Sequence, residues 1–293
     1  MKDVQLGKLI IKKIFESEAA LPLSMVLPDA TTEDLAALKK WYWSDELSLE
    51  PDDAGFKLSV HSYLLRSGGL NILIDTCNGN DKNRIVPFAD KLQTDYLEKL
   101  ETSGVKPEEI DIVLCTHLHC DHVGWNTKLV DGEWVPTFPN ARYLFTRKDY
   151  EFFAEGKGDE LHRDAFEDSV LPIVKAGLAD IVESDHVVER EVGAGVWLED
   201  AHGHSEGNCV VYAQDEGELA VFSGDCFHHP ILLAKPKLQF FADDDPVQAA
   251  ISRCALLEKH ADTSDVVFPA HFGGTSAGSI VKDGEGYRFI FLE

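Results

Sequence analysis

The chain reads as an α/β layered fold. Short apolar, β-rich runs recur along its 293 residues, and helical patterns separate them in the order strands, helix, strands, repeated twice. No repeat, low-complexity tract or Pro/Gly/Ser linker divides the chain. The first run, residues 6–14, precedes a helix start at Thr31-Thr-Glu-Asp, where Thr31 is placed to cap the turn that leads to Trp41, Tyr42 and Trp43. Runs at 56–65 and 70–75 follow, and residues 90–103 set Leu92, Tyr96, Leu97 and Leu100 on one helical face. Further strand runs fall at 110–116, 141–146, 195–199, 209–213, 219–223 and 266–269, several bounded by Gly, Asp or Asn. Residues 163–176 read as a helix broken by Pro172, whereas Pro246 suits the first turn of a helix over 245–260.

Composition narrows the function classes. With 52 Asp plus Glu against 27 Lys plus Arg, the formal net charge is −25. Such a surface repels phosphate backbones and anionic headgroups, so nucleic-acid and membrane partners are not expected. The acidity itself reads as a solvating coat. Cys77, Cys115, Cys120, Cys209, Cys226 and Cys254 form no CxxC pair and read as reduced thiols. The N-terminus has only a three-residue apolar core before charges return, and no window approaches a membrane span, so a soluble, cytoplasmic protein is expected.

The strongest signal is Thr116-His-Leu-His-Cys-Asp-His-Val-Gly124, directly after a strand-like run. In an extended backbone His117 and His119 share a face, while Asp121 and His122 come as the chain turns and address a second point nearby. Four ligand-type residues within six positions after a buried strand suit a metal site, and imidazole and carboxylate suit zinc, iron, manganese or cobalt. His202 and His204 among glycines, Asp225 after the run 219–223, and His271 after 266–269 each place a further donor at a strand end.

With these motifs in this order, the chain resembles the metallo-β-lactamase-fold hydrolases over about residues 56–272. The resemblance implies a four-layer αββα sandwich, two mixed sheets faced by helices, with two divalent metals at one edge. It also implies a single domain over 1–293, with an insert around 20–55 covering the active site. Carried over residue by residue, His117, His119 and His204 take one metal, Asp121, His122 and His271 the other, and Asp225 bridges them. The family ligand follows a glycine and precedes Ser or Thr, which selects His204 over His202. Asp75 matches the strand-end aspartate that orients ligands by hydrogen bonding, with a simple turn aspartate as the competing reading.

Asp225, where the β-lactamases proper carry cysteine or serine, and the absence of a glutamate from the first motif point to the quorum-quenching lactonase, methyl-parathion hydrolase and esterase group. The implied reaction is attack of a metal-bridging hydroxide on a small, neutral, hydrophobic lactone or carboxylic ester, with zinc the first choice of metal and manganese, iron or cobalt the others. Asp121 is placed to shuttle the proton. His228 stands where such lactonases often carry a tyrosine; it would donate to the carbonyl or protonate the leaving oxygen, or else be a plain loop residue. Trp41, Tyr42, Trp43, Trp125 and the pair Phe240–Phe241 are read as walls of an apolar pocket. An organophosphate triester hydrolase is the first alternative. A glutathione-thioester hydrolase would need a basic C-terminal patch, for which Lys282 and Arg288 are thin support, and the charge counts against a nuclease. A metal-binding module without catalysis and a homodimer are both compatible with the sequence.

Overall fold

Alternation along the central strands decides the layering. Tyr63 and Leu65 of strand Gly55–Ser67, with Ile72 and Ile74 of Leu70–Ile74, pack in one core cluster; Leu64 and Leu73, one residue out of phase, pack in another. A sheet apolar on both faces must be covered on both. The first cluster also holds Val211, Ala213, Ala220 and Phe222 of a second sheet, so it is the seam between two sheets. The second cluster holds Tyr96, Leu100, Leu256 and Leu257 from helices, which therefore form the outer layers. The result is an αββα sandwich, seen here in a computed structural model that describes residues 3–39, 41–42, 48–191 and 194–293. Trp43 lies outside the described residues.

One seven-stranded sheet runs Val4–Leu6, Leu9–Pro22, Gly55–Ser67, Leu70–Ile74, Ile112–Leu114, Arg142–Thr146, Ala179–Val182; its first four strands pair antiparallel and the rest in parallel. The other runs Val187–Glu191, Ala194–Asp200, Cys209–Asp215, Glu218–Phe222, Val266–Phe268, Gly278–Asp283, Gly286–Phe291, with only Glu218–Phe222 and Val266–Phe268 pairing in parallel. Parallel neighbours deliver their C-terminal ends to one edge, and the ligand-bearing loops start there.

Several expected boundaries move. The run at 6–14 is two strands, because Gly7 turns the chain at φ +56° and Leu9–Pro22 continues far beyond Ile14. The helix expected over 90–103 is Tyr96–Thr102 alone. Residues 91–94 are tied instead to the preceding loop: Lys91 N donates to Lys82 O, Gln93 to Asp81, and Thr94 N to Asn80. The helix expected over 163–176 is Glu160–Ala165, then a π-turn Phe166–Val170, then Leu171–Lys175 with Pro172 in its first turn. Proline lacks an N–H and crowds the carbonyl four residues back, so the distortion falls before it. Pro246–His260 is helical as expected, and the Thr31 cap is present, Asp34 N donating to Thr31 Oγ1 at 3.3 Å.

The loops after Leu70–Ile74 and Ile112–Leu114 are laced together by Thr76 N to His122 O, 2.7 Å, and Gly124 N to Cys77 O, 2.8 Å. Gly124 permits this approach: a Cβ there would sit 1.8 Å from Asn78 O. Gly124→Ala should therefore lower stability by roughly 1–3 kcal/mol through forced backbone displacement. A urea or thermal midpoint equal to that of the unsubstituted chain would show that the two loops do not need this contact.

Candidate metal centre

The donors gather because their strands end at one edge. Asp75 follows Leu70–Ile74; His117 and His119 follow Ile112–Leu114; His204, Asp225 and His271 follow Ala194–Asp200, Glu218–Phe222 and Val266–Phe268. A one-turn helix, Cys120–Val123, starts after His119 and swings Asp121 and His122 off the strand line, as the motif requires. All seven expected ligands fall into overlapping groups whose donor atoms lie within 4.8 Å of one another: His117, His119 and His204; His117, His122 and Asp225; Asp121, His122 and His271. His228 joins His204 and Asp225 in a further group. His202 lies apart, its half-exposed ring beside Asp200.

Hydrogen bonding at Nδ1 sets which nitrogen faces inward. His122 Nδ1 lies 2.9 Å from Asp75 Oδ2, His204 Nδ1 2.9 Å from Asp243 Oδ1, and His271 Nδ1 3.0 Å from Ser59 O. Thr116 Oγ1 donates to Asp75 and so accepts from His117 Nδ1 at 3.1 Å. Each partner accepts a hydrogen bond, so each Nδ1 carries a proton and Nε2 is the nitrogen turned toward the cluster. The Nε2 atoms of His122 and His271 then sit 3.2 Å apart. Those of His117 and His204, and Asp225 Oδ1, are buried without a hydrogen-bond partner. Nitrogen and oxygen donors from imidazoles and carboxylates converging within 4.8 Å of one another fit a divalent metal.

Electrostatics agrees. Burial, reinforced by neighbouring histidines, holds His117 and His119 well below the usual imidazole range, hence neutral as ligation requires. Burial would also neutralise His122, but Asp225, Asp75 and Asp121 outweigh it and hold that ring well above its ordinary value. Burial would raise Asp225, yet His271, His122 and His228 hold it well below the carboxylate range. The cluster demands positive charge.

Sequence reasoning missed the supports. Asp149 is buried and accepts from Leu118 N at 3.0 Å, Ser205 Oγ at 3.0 Å and Gly207 N at 2.5 Å, so one carboxylate fixes the loops of His117, His119 and His204; burial pushes it up to about 6. Asp243 holds His204, and His162 stacks flat on His119 at 3.8 Å between ring centroids. Lone acidic residues in Thr146-Arg-Lys-Asp149 and the run Asp243-Asp-Asp245 carry no spacing signal; Asp245 simply caps a helix. The apolar pocket over the donors is walled by Phe56, Leu58, Val86, Phe88, Phe240 and Phe241. Trp41, Tyr42 and Trp125 do not line it. Trp125 turns into the core to donate its indole N–H to buried Glu16 at 2.6 Å, and Tyr42 packs edge-on against His229.

His204→Ala should reduce bound metal, measured by elemental analysis after dialysis, while His202→Ala leaves it unchanged; equal loss from both would misplace the third histidine. Asp149→Ala should cost at least about 2 kcal/mol of stability in chemical denaturation, because three buried donors lose their acceptor; a loss within error would remove its supporting role.

Known proteins resemble the chain in sequence and in fold. A model of the metallo-beta-lactamase superfamily matches residues 55–271. Ribonuclease TTHA0252 of Thermus thermophilus is 28% identical over 192 residues, covering 61% of this chain and 38% of that protein. The chain spans less than half the length of the curated relatives it matches. Among solved structures, the hydrolase AbOPH of the beta lactamase superfamily superposes with a TM-score of 0.80 at 22% identity, covering 99% of this chain and 97% of that one. AidC, a dizinc quorum-quenching lactonase with the product N-hexanoyl-L-homoserine bound, does so with a TM-score of 0.77 at 21% identity over 100% of this chain and 98% of that one. At such identity the two structures show a shared fold. With the family model covering most of the sequence and its metal-binding donors gathered at one sheet edge, the chain belongs to the metallo-beta-lactamase superfamily.

Proposed function

We propose that the chain is a dinuclear metal-dependent hydrolase that opens lactones or cleaves related carboxylic esters. The observation that carries this reading is the placement of a buried His/Asp cluster on the floor of a pocket with apolar walls. His117, His119 and His204 would hold one ion and Asp121, His122 and His271 the other, with Asp225 shared. Zinc, or manganese, iron or cobalt in the same donor set, would acidify water to near neutral pH and polarise a carbonyl oxygen.

The chain's own residues do the rest. Phe240, Phe241, Phe56 and Leu58 bind the apolar part of the substrate and exclude water from the reacting centre. Asp121 lines the pocket and is the more accessible of the paired carboxylates, its side chain 17% exposed against 4% for Asp225, so it is placed to move the proton. Asp75 and Asp243 keep the rings of His122 and His204 oriented. AidC, whose structure holds an acyl-homoserine product, lends the lactone reading support. A thioester of glutathione is less well served: Lys282 is paired with Glu258 at 2.8 Å, and neither it nor Arg288 lines the pocket. A nucleic-acid backbone, the substrate of a nuclease, meets apolar walls and a net charge of −25.

Metal-replete protein should hydrolyse acyl-homoserine lactones or aryl esters with kcat/KM at least about tenfold above methyl parathion, a margin of about 1.4 kcal/mol. The reverse order would establish the triester reading, and no turnover of any of them would leave a metal-binding module. Asp121→Asn should lower kcat by roughly 10²–10⁴-fold if it carries the proton. The comparison holds only at equal metal content.

A further inference from the structure

Each buried histidine outside the cluster has at least one ring nitrogen engaged. His61 bonds Ser59 and Tyr63, His260 bonds Tyr212 and Asp265, and His162 and His229 each accept a backbone N–H at Nδ1. His228 differs. Both of its nitrogens are buried and unpaired, which among the described residues is true of no other histidine. A buried polar atom without a partner is costly and calls for an explanation.

Its geometry supplies one. His228 Nε2 lies 2.9 Å from Asp225 Oδ2, yet the two are not aligned as donor and acceptor. His204 Nε2, 3.3 Å from the same oxygen, is also unpaired, as is His117 Nε2 at 3.8 Å. In a hydrogen bond the N–H points at the oxygen. In a pair of metal ligands both lone pairs point at a third position, and the two atoms end near each other but misaligned. His228 thus shares the signature of two expected ligands. Its ring is also locked: it stacks on Phe240 at 3.8 Å and lies parallel to His271 at 5.5 Å.

We propose that His228 is a further metal ligand, its Nε2 joining His204 and Asp225 on the ion held by His117 and His119. This rests on the metal-dependent reading of the site, and it gives His228 a role other than donation to the substrate. The two positions then differ in protein donors. One has four imidazoles and the shared Asp225; the other has His122, His271, Asp121 and the shared Asp225. Both positions border the apolar pocket, His119, His204 and His228 from one side and Asp121 and His271 from the other, and the Asp121 position, with fewer protein donors, has the more room for substrate.

The test needs no turnover. In zinc-loaded protein labelled with ¹⁵N-histidine, six imidazoles should show zinc-bound nitrogens: His117, His119, His122, His204, His228 and His271. Five bound rings, with His228 resonating as a free imidazole, would overturn the proposal without variants. In a cobalt titration, His228→Phe, which keeps the stack on Phe240, should weaken one site by at least about tenfold and change the ligand-field absorption. Unchanged affinity and spectrum would also sink it. A chain that hydrolyses no ester can still show six bound rings, and an active esterase can show five, so failure here is separable from failure of the proposed reaction.

Discussion

A buried carboxylate with the Nε2 atoms of five histidines 2.9–3.8 Å from its oxygens is stable only if cations sit among them. Asp225 is in that position, with Asp75 and Asp121 nearby. His122 and His271, the two rings that these carboxylates hold above their ordinary value, still fall short of three negative charges. At an effective dielectric near 20, opposite unit charges 4 Å apart gain about 4 kcal/mol, so the missing positive charge is a large term beside the whole stability of a domain. The fold around Asp225 can be understood as what is required to hold these donors still until a metal supplies it.

Rigid sheets meet that requirement. Ligands enter from both of them, and main-chain bonds tie their loops across the seam: Cys209 N donates to Thr116 O and Ser59 N to His271 O. Behind the ligands lies a ring of acidic side chains, each engaged by donors that also set a ligand's direction. Asp75 fixes Thr116 and His122, Asp149 fixes Leu118 and the loop at 205–207, and Asp243 fixes His204. Asp75 and Asp243 place the Nδ1 protons of His122 and His204 and turn Nε2 toward the cluster, as Thr116 Oγ1 and the Ser59 carbonyl do for His117 and His271.

This division explains what could be read in the sequence. His117, His119, Asp121 and His122 are close in the chain, so a strand followed by a turn suffices to bring them together. His204, Asp225 and His271 are distant in sequence, and only the family resemblance pointed to their company. Asp149 and Asp243 act through three-dimensional contacts that no local pattern encodes. The same holds for the fold. Strands with alternating or continuous apolar runs were legible, while Val187–Glu191, Gly278–Asp283 and Gly286–Phe291, rich in charge or glycine, were not. Residues 90–95 have helical periodicity, but side-chain and backbone bonds to 80–82 outcompete the helix. Trp125 looked like a pocket wall because aromatics near a motif suggest one, yet an indole N–H needs an acceptor, and Glu16 supplies it in the core.

The acidic surface and the site are consistent with each other once distance is considered. At physiological ionic strength charges separated by more than about 8 Å are largely screened, so the coat does not set the field on a buried cluster. It acts on what approaches and what leaves. A neutral ester or lactone reaches the pocket without repulsion, and its apolar part is favoured by Phe240 and Phe241. Hydrolysis converts it to a carboxylate, which loses that advantage and must leave through a surface of its own sign. On the ester reading, a net charge of −25 therefore opposes rebinding of product rather than binding of substrate. A phosphate-backbone substrate would be repelled at entry, which is why the same charge that suits an esterase argues against a nuclease on this scaffold.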